Sequence, residues 1–212
     1  MTLRFSPEDH ARVRDAIARA ETRTSAEIYA VFARSSGENG GFGAAAIAVA
    51  ALIPAAFAAT LILELAGRPV GGVEATGILF IVAALLSLAL AALPGLRRRL
   101  VPAGFARARA SRMAAAQFLA HNLHVTADRT GVLLFVSEAE RHAEVIADAG
   151  IAAHVDQDTW DEVVAGLVEA AREDRLADGF ADAVTYVGEI LAGSFPPRVG
   201  VGNEIPDRLV EI

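Results

Sequence analysis

The sequence predicts an α/β protein in which a small mixed sheet flanked by helices is interrupted by a two-helix transmembrane hairpin. Three observations carry this. Helical and strand patterns alternate before Ala33, two long apolar runs lie between Phe42 and Leu96, and strand and helix patterns resume after Ala103. At 212 residues the chain has room for one ordinary soluble core plus the hairpin. The expected division is 1–40 for the first part of the soluble domain, 41–100 for the hairpin, 101–197 for its second part and 198–212 for an extended tail.

The first helix announces itself at Ser6-Pro7-Glu8-Asp9: Ser6 can cap, Pro7 sits where a missing N–H is harmless, and Asp9 can close a capping box. Val13, Ile17 and Ala20 supply its apolar stripe, and it should end near Thr22. The run AEIYAVFA, Ala26 to Ala33, is apolar on both faces and reads as an interior strand. Charged residues without an apolar core fill the stretch before Gly40, so no cleavable signal is expected there.

The runs Phe42–Ala66 and Thr76–Leu96 each approach the ~20 residues that cross a bilayer. Ala51, Ala55 and Ala59 in one, and Ala83, Ser87 and Ala91 in the other, give small-residue seams for close packing. Glu64 lies in the last turn of the first run, where it can reach head groups rather than serve a transport path. The linker Gly67–Ala75 carries only Arg68, whereas Arg97, Arg98 and Arg99 follow the second run and could meet lipid head groups. That asymmetry predicts an inner (cytoplasmic) membrane protein with two spans, both termini in the cytoplasm, and the lipid bilayer as one partner.

After the hairpin, an Ala- and Arg-rich helix is expected from Ala103 to Asn122. Gly131–Val136 and His142–Asp148 then form a strand pair around a turn at Glu138–Arg141, with the first strand central and the second nearer an edge. Two amphipathic helices follow. Asp158–Ala171 buries Trp160, Val163, Val164 and Leu167, and Asp178–Leu191 buries Phe180, Val184, Val187 and Leu191. Because the strand at 26–33 lacks a partner without the later pair, the two soluble parts should unite in one sheet.

Several function classes fall away. A net charge of -7 argues against a nucleic-acid partner. The absence of Cys excludes disulfides, thiolate metal sites and a Cys nucleophile. Ser137-Glu138 lacks the glycines of a nucleophile elbow, and neither a P-loop nor a dinucleotide fingerprint is present. His121 and His124, three apart at a helix end, lack a third ligand and the metalloprotease helix motif. No catalytic residue emerges.

The segment TGVLLFVSEAERHAEVIADAGI, Thr130 to Ile151, resembles the strand-turn-strand core of the TPM domain family, and TSAEIYAVFA, Thr24 to Ala33, resembles its first core strand. The resemblance covers nearly all residues outside the hairpin. It implies an α/β sandwich but no single chemistry. Plant relatives are linked to photosystem repair and weak acid phosphatase activity, some members bind calcium, and an animal relative is a receptor accessory protein.

Against that family, Asp128-Arg129-Thr130-Gly131 falls where an acidic residue and Gly are common, although an ordinary polar turn would read the same. A hard cation needs several oxygens, and Asp128, Asp148 and Glu27 could converge to hold calcium or magnesium. Arg129 and Arg141 are candidates for phosphate or partner binding, with a surface pair between Arg141 and Glu138 as the plainer reading. The expected function is an accessory or assembly factor of a membrane protein complex, with a low-activity metal-dependent phosphatase as the alternative.

Overall fold

The computed structural model describes residues 3–36, 40–67, 71–92, 102–126, 128–197 and 205–212. Contacts divide the chain into one unit of Met1–Ser36 with Arg107–Ile212 and a second unit of Gly37–Ala106.

The first unit is a mixed four-stranded sheet with helices on both faces. Its strands are β1 (Glu27–Ala33), β2 (Gly131–Ser137), β3 (His142–Ala147) and β4 (Leu209–Glu211), in the order β3-β2-β1-β4. β1 runs parallel to β2 with Glu27 opposite Gly131, and β2 runs antiparallel to β3 with Ser137 opposite His142. Every residue of β1 and β2 is buried, which is why both read as continuous apolar runs rather than alternating ones.

Helix α1 (Pro7–Glu21) starts as its sequence dictates. The Asp9 amide donates to Ser6 Oγ at 3.1 Å, and the Ser6 amide donates back to Asp9 Oδ2 at 2.9 Å. With α6 (Gln157–Arg172) and α7 (Leu176–Ser194) it covers one face of the sheet. Ile17, Phe32, Leu134, Leu167, Phe180 and Leu191 fill that core, each fully buried. α1 and α7 approach so closely that a Cβ on Gly188 would come within 2.7 Å of the Ala20 Cβ.

The opposite face is covered by α4 (Ala103–Ala120), through Ala110, Ala114 and Phe118, and by a 3-10 turn at Leu123–Val125. Tyr29, Leu133 and Phe135 project into this second core. A short helix α5 (Ala149–Ala152) follows β3 and is capped by Asp148, whose Oδ1 accepts from the Ala149 amide at 2.6 Å.

The tail, expected to be an arm, contributes β4 instead: Leu209–Glu211 pairs in parallel with Ala30–Phe32. Three residues are too few to display a strand period, so the signal was absent from the sequence. Ile205 and Leu209 anchor the strand by burial.

The second unit contains α2 (Gly40–Leu65) and α3 (Gly72–Ala92). A pair of helices therefore forms, but the transmembrane reading is corrected. Among the described residues, no helix is long and apolar enough to cross a membrane. Apolarity along a run of sequence, Phe42–Ala66 or Thr76–Leu96, reports composition and not what surrounds a helix. The fold is thus a mixed α/β sheet flanked by helices and interrupted by a helical pair, and a transmembrane hairpin is not supported among the described residues. The inner-membrane location with two spans and cytoplasmic termini is corrected with it. Arg97, Arg98 and Arg99, assigned to lipid head groups, lie outside the described residues.

Candidate functional site

Polar side chains gather at both ends of the sheet. One end holds the starts of β1 and β2 and the finish of β3, and it carries the residues nominated as metal ligands. Glu27 opens β1 and is buried, with its Oε2 accepting from the Ile205 amide at 3.2 Å. Asp148 leaves β3 on the far side of β2, so Glu27 and Asp148 are separated by two strand spacings, about 10 Å of backbone. Between them Gly131 admits the Leu123 carbonyl, which would lie 2.2 Å from a Cβ at that position.

Asp148 is fully engaged. Arg129 Nε reaches its two oxygens at 3.1 and 2.9 Å and Nη2 reaches Oδ1 at 2.8 Å, while the Ala149 amide also donates to Oδ1. These donors, Arg129 foremost, hold the Asp148 carboxyl below the usual range against the opposing effect of burial. Arg129 adopts φ 58°, in the left-handed region. Asp128 lies one residue earlier, and its carbonyl packs against Gly150, where a Cβ would meet it at 2.5 Å. No group of three or more His, Cys, Asp or Glu side chains able to hold a metal exists among the described residues. The donor set as arranged does not fit calcium or magnesium, which need six or more oxygens converging on one point.

Glu21 belongs to this end and sequence reasoning missed it. It lies at the C-terminal end of α1, accepts from the Ile28 amide at 3.0 Å, and faces Glu27 and Asp207. Burial, and then the neighbouring carboxylates, push its carboxyl up to about 9, so it is neutral at pH 7. The signal was available: Glu21 continues the Val13–Ile17 spacing of four, an acid on the apolar stripe of an amphipathic helix.

At the other end β1 and β2 finish side by side, the place where parallel sheets expose ligand-binding loops. Glu140, in the turn between β2 and β3, is almost fully enclosed, with its side chain 2% exposed. Ser137 Oγ and Arg109 Nη2 donate to it, and the Ser36 amide donates to Oε2 at 2.9 Å. Burial would raise the Glu140 carboxyl, but these three donors outweigh it and hold the group below the usual range. Ser36 Oγ donates to Ser137 Oγ at 2.9 Å, completing the network.

Beside it, Ser111, His142 and Glu144 bring together the residue types of a hydrolase triad. Their geometry is not that of one. Ser111 Oγ donates to Glu144 Oε2 at 2.6 Å, His142 Nε2 meets the same oxygen at 2.9 Å, and Ser111 Oγ lies 3.5 Å from the same Nε2. A relay needs the carboxylate on one ring nitrogen and the hydroxyl on the other. Here one nitrogen faces both, so the imidazole cannot carry a proton from serine toward the acid.

Arg141 is exposed at the turn with φ 49°. Glu138, its expected surface partner, accepts from the Leu3 amide at 2.9 Å. His121 stacks on Tyr29 with ring centroids 4.4 Å apart, and burial followed by the charge of Arg208 lowers its pKa. His124 sits in the 3-10 turn with a buried Nδ1 that has no partner, on the side of Asp148.

No family model matches this chain, and no curated protein matches it. Among solved structures it is similar to the NMR structure of BA42 protein from the psychrophilic bacterium Bizionia argentinensis, with a TM-score of 0.59 at 16% identity over 98% of this chain and 94% of that one. At that identity the likeness speaks to the fold alone.

Proposed function

We propose that this chain is a non-enzymatic accessory or assembly factor that binds a protein partner through the second unit. The observation that carries the reading is the apolar surface of α2 and α3. Phe57, Ile62, Leu65, Phe80, Ile81 and Leu85 are each more than 60% exposed. Single exposed apolar residues are ordinary, but a set of this size on two helices marks an interaction surface. Among the described residues of the two helices only Glu64 and Glu74 carry charge, so the matching surface must itself be apolar.

The chemistry of the first unit agrees. Glu140, Glu144 and Asp148 are occupied by donors from arginine, serine, histidine and the backbone, and the serine-histidine-glutamate group lacks relay geometry. The resemblance of Thr130–Ile151 to the TPM domain family, which includes a receptor accessory protein, lends further support. A phosphatase reading would need Asp128, Asp148 and Glu27 around one cation, and Asp148 already serves Arg129 and the α5 cap.

The test is purification of the native chain from its source under mild conditions, beside a variant carrying Phe57→Asp, Ile62→Asp and Phe80→Asp. A co-migrating heteromeric complex of defined mass, lost in the variant, is expected. Recovery of a lone monomer under every condition, or of complexes made only of this chain, would remove the reading.

A further inference from the structure

We propose that Glu140 is a clasp that ties together two points of the α/β unit, Ser36 where the chain leaves it and Arg109 just after the chain returns, so that opening it loosens these two roots together while the sheet stays folded. The chain leaves the first unit at Ser36 and returns at Arg107. One carboxylate reaches both points. Its Oε2 accepts from the Ser36 amide, three residues beyond the end of β1, and its Oε1 accepts from Arg109, two residues into the return.

The backbone does not perform this task. Among the described residues, the last main-chain bonds that tie the exit to the rest of the unit are Glu138 N to Ala33 O at 2.9 Å, Arg34 N to Ile212 O at 2.9 Å and Ala139 N to Arg34 O at 3.2 Å. All three stop short of Ser36. On the return side the first buried residue of α4 is Ala110, which contributes only a methyl group. Arg109 Nε is buried without a hydrogen-bond partner, so its guanidinium is tied to Glu140 through Nη2.

The two arms are coupled because they share an acceptor. A carboxylate that is nearly closed off from water and loses one charged donor becomes an unpaired buried charge, which weakens the reason for the other donor to stay. Ser137 adds a third donor from the end of β2, and Ser36 Oγ donates to Ser137, so the exit root is bound twice into the same network. The second carboxylate of the region, Glu144, binds Ser111 and His142 and has no hydrogen bond to the exit among the described residues.

Hydrogen exchange on the full chain tests this, with Glu140→Gln, Arg109→Met and Glu144→Gln compared with wild type. Glu140→Gln should speed exchange about tenfold or more at the Ser36 amide and across 107–112, while the β1 amides of Ile28–Phe32 keep their protection. Arg109→Met touches only the return root, yet it should speed exchange at the Ser36 amide as well, and Glu144→Gln should leave that amide at the wild-type rate. An Arg109→Met variant that loosens 107–112 but leaves Ser36 unchanged would overturn the clasp, as would wild-type exchange at both roots in Glu140→Gln. Should Glu140→Gln fail to fold, Arg109→Met and the milder Ser137→Ala decide the question by the same readout.

Discussion

Glu21→Gln should make the protein more stable at neutral pH, because the native state now holds a neutral acid that the unfolded chain would ionise. The carboxyl is pushed from 4.5 up to about 9 by burial and by Glu27 and Asp207. Between those two values the native state binds a proton that the unfolded state has released, so stability falls as pH rises, by about 1.4 kcal/mol per pH unit. The Glu21 contribution is therefore fully favourable below about pH 4.5, erodes across pH 4.5 to 9, and is lost above that. At pH 7 the accumulated penalty is about 3 kcal/mol. Gln keeps an oxygen for the Ile28 amide and offers an N–H toward Asp207 without titrating. Urea denaturation of wild type and variant at pH 5, 6, 7 and 8 isolates the effect, since the remaining ionisable groups are common to both. The variant should gain about 3 kcal/mol at pH 7, roughly 6–12 °C in Tm, with little gain at pH 5. A difference between the two that does not grow with pH would refute the reasoning.

Other outcomes follow from the same interactions. Asp148→Ala should destabilise by about 1–3 kcal/mol in denaturant titration, since it removes the α5 cap and the acceptor of Arg129. Gly131→Ala should cost about 3 kcal/mol or more, because its Cβ would meet the Leu123 carbonyl at 2.2 Å and backbone cannot yield as a side chain can; a loss below about 1 kcal/mol would contradict this packing. Glu140, Glu144 and Asp148 all have depressed pKa values, so their stabilisation is present above the ordinary carboxylate range and is lost as pH falls through their folded values. Together with Glu21 this places maximum stability near about pH 4–5, and a thermal-melt series that peaked at pH 8 would count against both assignments.

Much of the first unit was legible because burial follows period. The capping box at Ser6, the stripe Val13–Ile17–Ala20, the two apolar strands and the turn between β2 and β3 are all readable, and the four positions marked on α7 are buried, although its core also takes in Leu176, Ala177 and Ala183. Helix ends shifted by a residue or two, as Gln157 and Leu176 show, since first turns carry little apolar signal. What stayed hidden depends on contacts between distant segments. β4 is too short to show a period, and nothing local announces that Arg109 meets Glu140 or that Ser111 meets Glu144. Residue type and strand-end position single out Asp128, Asp148 and Glu27, whereas the separation of Glu27 from Asp148 is set by sheet order, which sequence position does not reveal. The membrane reading rested on hydropathy along the chain, a one-dimensional sum that spoke of apolarity and not of what covers it.

Site-specific photocrosslinking tests most directly whether the second unit is a docking surface. A photoreactive residue placed at Phe57 or at Phe80 in the full-length chain, expressed at native level, should give a discrete adduct with one other polypeptide, identified by peptide mass. The same residue at Tyr186, on α7 of the first unit, should give none. Absence of any adduct at Phe57 and Phe80, or adducts only between copies of this chain, would contradict the proposed accessory role.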